Sequence, residues 1–160
     1  MGHVWSAIGG AMLVAQFALL FFVGRQQVPL LACLGYAIWA GGLVFAWFPI
    51  AYLRRKAGVA KGRSYVHTTR VVTTGIYSVV RHPQYLSYFM FALALALIGQ
   101  HWVIVLLGAA GSGVFCLGLR GVDRHNIEKF GDEYRKYKAE VPAYNILLGL
   151  VRRMTRRRRG

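Results

Sequence analysis

The chain has 160 residues, 56% of them hydrophobic, with a mean hydropathy of +0.42 and a formal net charge of +15. The length sets a single domain as the prior, and the apolarity excludes an ordinary soluble fold. The charge does not suit a nucleic-acid binder: of the 20 Lys and Arg, seven lie in 54–81 and twelve in 120–159, flanking apolar blocks.

Residues 1–24 and 26–53 contain no Asp, Glu, Lys or Arg. Each block can supply one bilayer-spanning helix of roughly 20 residues, predicted over 4–23 and 30–52. The first block has no basic n-region and no small-residue cleavage site, so it reads as a span and not as a signal peptide. Few polar side chains beyond Ser6, Gln16, Gln26 and Gln27 interrupt residues 1–53. This hairpin is assigned to scaffold and lipid contact, with Pro49 placed to kink its second helix.

Residues 54–81 form a polar connection with Gly58, Gly62 and the run Val71-Val72-Thr73-Thr74. A loop this long in a short chain tends to be functional or disordered. The block 82–119 again lacks Asp, Glu, Lys and Arg and has room for two short spans, 82–98 and 102–119, joined at Gly99-Gln100-His101. Four spans put the N-terminus, the 54–81 loop and the C-terminal tail on one side, and their basic character makes that side cytoplasmic. The expected location is therefore the cell (inner) membrane, multi-pass, with both termini cytoplasmic. In the fourth span Gly108 and Ser112 put small residues on one face for close packing, a stronger reading of Gly111-Ser112-Gly113 than a nucleotide loop. Cys33 and Cys116 fall within spans and imply neither a disulfide nor a metal site.

All five acidic residues, Asp123, Glu128, Asp132, Glu133 and Glu140, lie after Leu119, mixed with Lys, Arg, Phe130, Tyr134 and Tyr137. Two short helices are predicted, Asp123 to Lys129 and Asp132 to Lys138, broken at Gly131 and ended by Pro142. Ile146 to Val151 then returns to the bilayer surface, ahead of Arg156-Arg157-Arg158-Arg159, which faces anionic membrane lipids. The parts of the single domain are 1–53, 54–81, 82–119 and 120–160.

Chemistry concentrates at Arg81-His82-Pro83, where a basic, imidazole-bearing turn opens a membrane helix. Proline suits a first helical turn, and a purely structural reading has Arg81 and His82 anchoring to headgroups. A helix N-terminus also offers N–H donors and positive potential to a ligand's carboxylate or hydroxyls. The acidic patch offers a carboxylate to an ammonium group, and Tyr77, Tyr85 or Tyr134 offers an aromatic face to a sulfonium. S-adenosylmethionine carries all of these groups.

Gly75-Ile76-Tyr77, Arg81-His82-Pro83-Gln84-Tyr85-Leu86, Phe130-Gly131-Asp132-Glu133-Tyr134-Arg135-Lys136-Tyr137 and Val141-Pro142 resemble isoprenylcysteine carboxyl methyltransferases and related phospholipid methyltransferases, over about Gly58 to Pro142. The resemblance implies an all-α integral membrane bundle of about four transmembrane helices, with C-terminal cytoplasmic helices capping a cofactor site. It implies S-adenosylmethionine as methyl donor, a lipophilic or prenylated acceptor entering from the bilayer, and no metal. Cofactor contacts fall on Tyr77, His82, Pro83, Tyr85, Asp123 and Tyr134, with Arg81 and Glu140 as candidate catalytic or acceptor-side residues.

Two departures stand out. Family members usually carry adjacent glutamates where this chain has Val122-Asp123-Arg124, so Asp123 takes the second place; it is equally placed to cap the helix that follows. Carboxyl-methylating members have Arg before the Val-Pro, where this chain has Glu140. That acidic group favours an amine-bearing acceptor over a carboxylate, unless it is only the solvated helical partner of Lys136. Membrane sterol reductases, which use NADPH, are similar in their Arg-His turn but usually lack the following proline. A non-enzymatic small membrane subunit would carry polar residues along its spans, and the first two hold few.

Overall fold

The computed structural model describes residues 2–23, 28–57 and 68–157, except the side chains of residues 2, 3, 156 and 157. Arg25, Gly58, Gly62 and the last two arginines of the tail lie outside that set. Among the described residues the structure is all helical: α1 Gly2–Leu19, α2 Pro29–Lys56, a 3-10 turn Gly75–Ser78, α3 Pro83–Gly99, α4 Trp102–Glu140 and α5 Ile146–Arg157. It is an all-α fold of the membrane type. Helices α2 and α4 are long and apolar enough to cross a bilayer, while the described apolar parts of α1 and α3 are shorter.

Proline starts α2 and α3, where the absent N–H removes one donor that no helical carbonyl could satisfy. The predicted hairpin at 99–101 is present. Gln100 has a positive φ of 48°, and its side-chain amide clasps Val28, accepting from the Val28 N–H at 2.8 Å and donating to its carbonyl at 3.0 Å. Pro49 lies inside α2 and is buried.

Two expectations change. Helix α2 runs on through Arg54-Arg55-Lys56, so the connection is shorter than the charge boundary suggested. Nor does the helix of the last span stop at Leu119, since α4 continues without a break to Gly131. Mixed charges end a hydrophobic stretch but not a helix; Arg, Lys and Glu are good helix formers, and no proline intervenes. The predicted break at Gly131 is observed, with φ 59° and ψ −132°, a conformation open to glycine but not to residues with a Cβ. Because α4 runs through it, Asp123 sits within a helix and not at the start of the one predicted to follow it.

The described chain divides into two compact units. One, Met1–Val44 with Ser87–Arg124, holds α1 and the larger parts of α3 and α4. Its core joins Leu20, Leu95, Ile98 and Ile104, with Leu13, Leu19 and Trp39 packed against them. Gln16 is buried within this unit, and its Nε2 donates to the carbonyls of Ala92 (2.9 Å) and Ile104 (3.1 Å). One of the few polar groups of the first block thus ties three helices together. Gly108 leaves the space the Gln16 amide occupies, so the small-residue face serves packing. The second unit, Phe45–Leu86 with His125–Gly160, carries the Arg-His-Pro turn, the end of α4 and α5.

Two glycines of α4 separate helix propensity from backbone constraint. Gly113 has a helical backbone and nothing within 4 Å of an added Cβ, so Gly113→Ala is expected to stabilise by about 0.5–1 kcal/mol. Gly131→Ala meets no neighbour either, yet forces a Cβ onto a glycine-only backbone and should cost about 1–3 kcal/mol. Thermal unfolding of the two variants in detergent checks the opposite signs.

Candidate functional site

The loop after α2 returns along the helix end. The Thr69 N–H donates to the Ala57 carbonyl at 3.0 Å, and the Tyr52 hydroxyl lies 2.9 Å from Thr74 Oγ1. Gly75, with φ 60°, packs against the Tyr52 ring, where any side chain would collide. The following 3-10 turn places the Tyr77 hydroxyl to donate to the Pro49 carbonyl at 3.2 Å. Pro49 cannot donate in α2, but its own carbonyl thereby gains a loop contact.

Val79, Val80, Arg81, His82 and Pro83 are all buried. The His82 carbonyl accepts from the N–H groups of Tyr85 (3.0 Å) and Leu86 (3.3 Å) and so begins α3. The amides of Arg81 and His82 precede the helix and cannot be satisfied by it. They donate instead to the carbonyls of Pro142 and Ala143, both at 2.9 Å. The chain beyond α4 therefore lies along the bend as a two-residue strap.

Beyond the Gly131 kink, Tyr134 and Tyr137 occupy one helix face and are buried with Val141 against Val71, Tyr77, Ile127 and Phe130. The Tyr134 hydroxyl is 3.2 Å from His82 Nε2. The Tyr137 hydroxyl donates to the Tyr77 carbonyl at 2.7 Å. Tyr85 crosses the His82 ring edge-on, with centroids 5.8 Å apart. The turn and the aromatic helix, 52 residues apart in sequence, thus meet at one imidazole.

Of the residues singled out in the sequence, Tyr77, Arg81, His82, Pro83, Tyr85 and Tyr134 share this unit, and all but the half-buried Tyr77 are buried. Glu140, the last residue of α4, is exposed, outside the buried group. Asp123 belongs to the other unit, where it is only 5% exposed. Glu128, Asp132 and Glu133 are exposed, and Asp132 pairs with Arg135 at 3.6 Å across one helical turn. Sequence reasoning missed Tyr137, the Pro142–Ala143 strap and Gly149. Gly149 of α5 rests on the Val79 carbonyl so closely that a Cβ there would overlap it. A glycine as the sole small residue in the apolar run 146–151 was the available signal.

Within the second unit the arrangement offers a buried imidazole beside the rings of Tyr85 and Tyr134, and aromatic faces are suited to a cation. Residues 30–128 match the model of a family described as phospholipid methyltransferase. The chain is also 27% identical over 151 residues to a protein-S-isoprenylcysteine O-methyltransferase of Schizosaccharomyces pombe; the alignment covers 83% of this chain and 64% of that relative. No solved structure matches significantly.

Tyr137→Phe removes one hydrogen bond and leaves the ring packing intact. The expected cost is about 0.5–1.5 kcal/mol, and hydrogen exchange should quicken around Tyr77 before it does in α1. Unfolding curves together with exchange mass spectrometry test this.

Proposed function

Because the chain belongs to the phospholipid methyltransferase family, we propose that it is a membrane methyltransferase using S-adenosylmethionine and acting on a lipid-type acceptor. When bound, the cofactor supplies an electrophilic methyl group on a sulfonium. The observation that best supports the reading is the His82–Tyr134 contact, buried in an aromatic enclosure and held at the His82 amide by Ala143. In this reading His82, Pro83, Tyr85 and Tyr134 line the cofactor site, with Tyr77 beside them.

The tyrosine rings present π faces that attract a cationic centre while excluding water. His82, fixed by Tyr134, offers a ring nitrogen whose direction is set before any ligand arrives. Asp123, which takes the place of the family's second glutamate and is the buried one of the five acidic residues, is proposed to meet the ammonium group. Direct displacement at a methyl group asks the protein mainly for alignment, and a bend fastened at consecutive amides is suited to that. Arg81 is proposed to orient a carboxylate next to the bend.

The acceptor is proposed to be a lipid entering from the bilayer. Glu140, exposed where carboxyl-methylating relatives are expected to carry arginine, favours an amine-bearing headgroup over a carboxylate. The apolar helices are proposed to cross the bilayer four times, with both termini on the cytoplasmic side.

His82→Ala and Asp123→Ala should each weaken binding of labelled S-adenosylmethionine about tenfold or more, the equivalent of one charge-assisted hydrogen bond. Tyr134→Phe should lose less. Equilibrium binding to purified protein decides; unchanged affinity in both alanine variants sinks the site assignment. Methyl transfer to phosphatidylethanolamine and to a farnesylated cysteine, compared side by side, tests the acceptor, and a preference for the latter overturns the Glu140 argument.

A further inference from the structure

Helix α5, Ile146–Arg157, has a side its own fold does not cover. Asn145 caps it, accepting from the Leu148 N–H at 3.0 Å. Gly149 faces inward onto Val79, and Arg152 Nη1 donates to the Ala139 carbonyl at 3.3 Å. Around the helix, Leu147, Leu150, Val151 and Met154 form a stripe at helical spacing, exposed by 77%, 41%, 54% and 59%. The helix also carries Arg152 and Arg153, the sequence continues into Arg156-Arg157-Arg158-Arg159, and residues 141–160 contain no Asp or Glu.

We propose that this outward face of α5 seats on an anionic bilayer surface, and that the seating holds the Pro142–Ala143 strap on the Arg81–His82 bend. The apolar stripe needs cover and the arginines need anions, and an anionic lipid surface supplies both. A second copy does not, because a two-fold contact through this face would set arginines against arginines. A polyanion in water would leave Leu147 and Met154 uncovered. The link to the bend is short: Tyr144 and Asn145 join the strap to α5, and Gly149 abuts the residue two before Arg81. Pulling α5 toward headgroups therefore biases whether the amides of Arg81 and His82 remain bonded. The consequence for cofactor affinity rests on the function proposed above, whereas the seating itself does not.

The test uses the full chain in nanodiscs of phosphatidylcholine alone and of phosphatidylcholine with roughly one-third phosphatidylglycerol, read by hydrogen exchange at Arg81, His82 and 146–157. In anionic discs the two bend amides should exchange about fivefold or more slowly, and raised salt should shrink the difference. Two surface variants, Leu147→Ser with Val151→Ser, and Arg153→Gln with Arg156→Gln and Arg157→Gln, should abolish it. Gly149→Ala should free the bend amides in both discs by pushing α5 off Val79. Equal exchange in the two discs overturns the proposal, as does protection that follows protein concentration instead of lipid charge, the mark of a second copy. So does a slow bend in Gly149→Ala with α5 exposed. S-adenosylhomocysteine binding in the same discs reads the function separately: its absence from both would remove the methyltransferase reading, while the exchange difference still decides the seating.

Discussion

Two buried amides dictate the form of the second unit. Pro83 begins α3 immediately after His82, so the N–H groups of Arg81 and His82 point back from the helix with no carbonyl of their own segment to receive them. Leaving a buried amide unpaired costs about 1–3 kcal/mol, and two in succession would consume a sizeable part of a typical stability margin. The carbonyls of Pro142 and Ala143 remove that cost at 2.9 Å each. Once those bonds form, the end of α4 must lie close, and the Tyr134 and Tyr137 hydroxyls fall within reach of His82 and the Tyr77 carbonyl. A local consequence of one proline therefore organises a contact between chain segments about sixty residues apart.

The first unit solves the opposite problem. Its helices are so apolar that packing alone specifies little, because lipid competes equally well for leucine. One polar side chain supplies direction: Gln16 reaches carbonyls on α3 and α4 through a space that Gly108 keeps open. Gly35 and Gly42 likewise admit Ile98 and Phe91 so closely that an added Cβ would clash. Small residues and a single amide do here what backbone bonding does in the other unit.

These differences explain what could be read beforehand. Apolar blocks, the turn at Gly99-Gln100-His101, the break at Gly131 and the stop at Pro142 are written in composition and in residues with special backbones. The buried set around His82 was visible because its members are chemically unusual at a membrane boundary. Hidden were features that leave no compositional trace. The continuity of α4 past Leu119 was masked by a change in polarity that has no bearing on helix formation. The strap was masked because its donors and acceptors are main-chain atoms, which any residue but proline can supply as donor and all can supply as acceptor. Its one outward sign is that Pro142, unable to donate, still accepts.

The carboxylates show how structure reweighs a motif. By sequence the five acidic residues form one patch, and any of them could meet a ligand's ammonium. Four of the five are exposed, where water already solvates the charge and a cation adds little. Asp123 alone is buried. Its place inside α4 removes the capping role that would have accounted for it more simply. In the function proposed above, burial is what singles Asp123 out from the other four acids as the one assigned to a ligand's ammonium group.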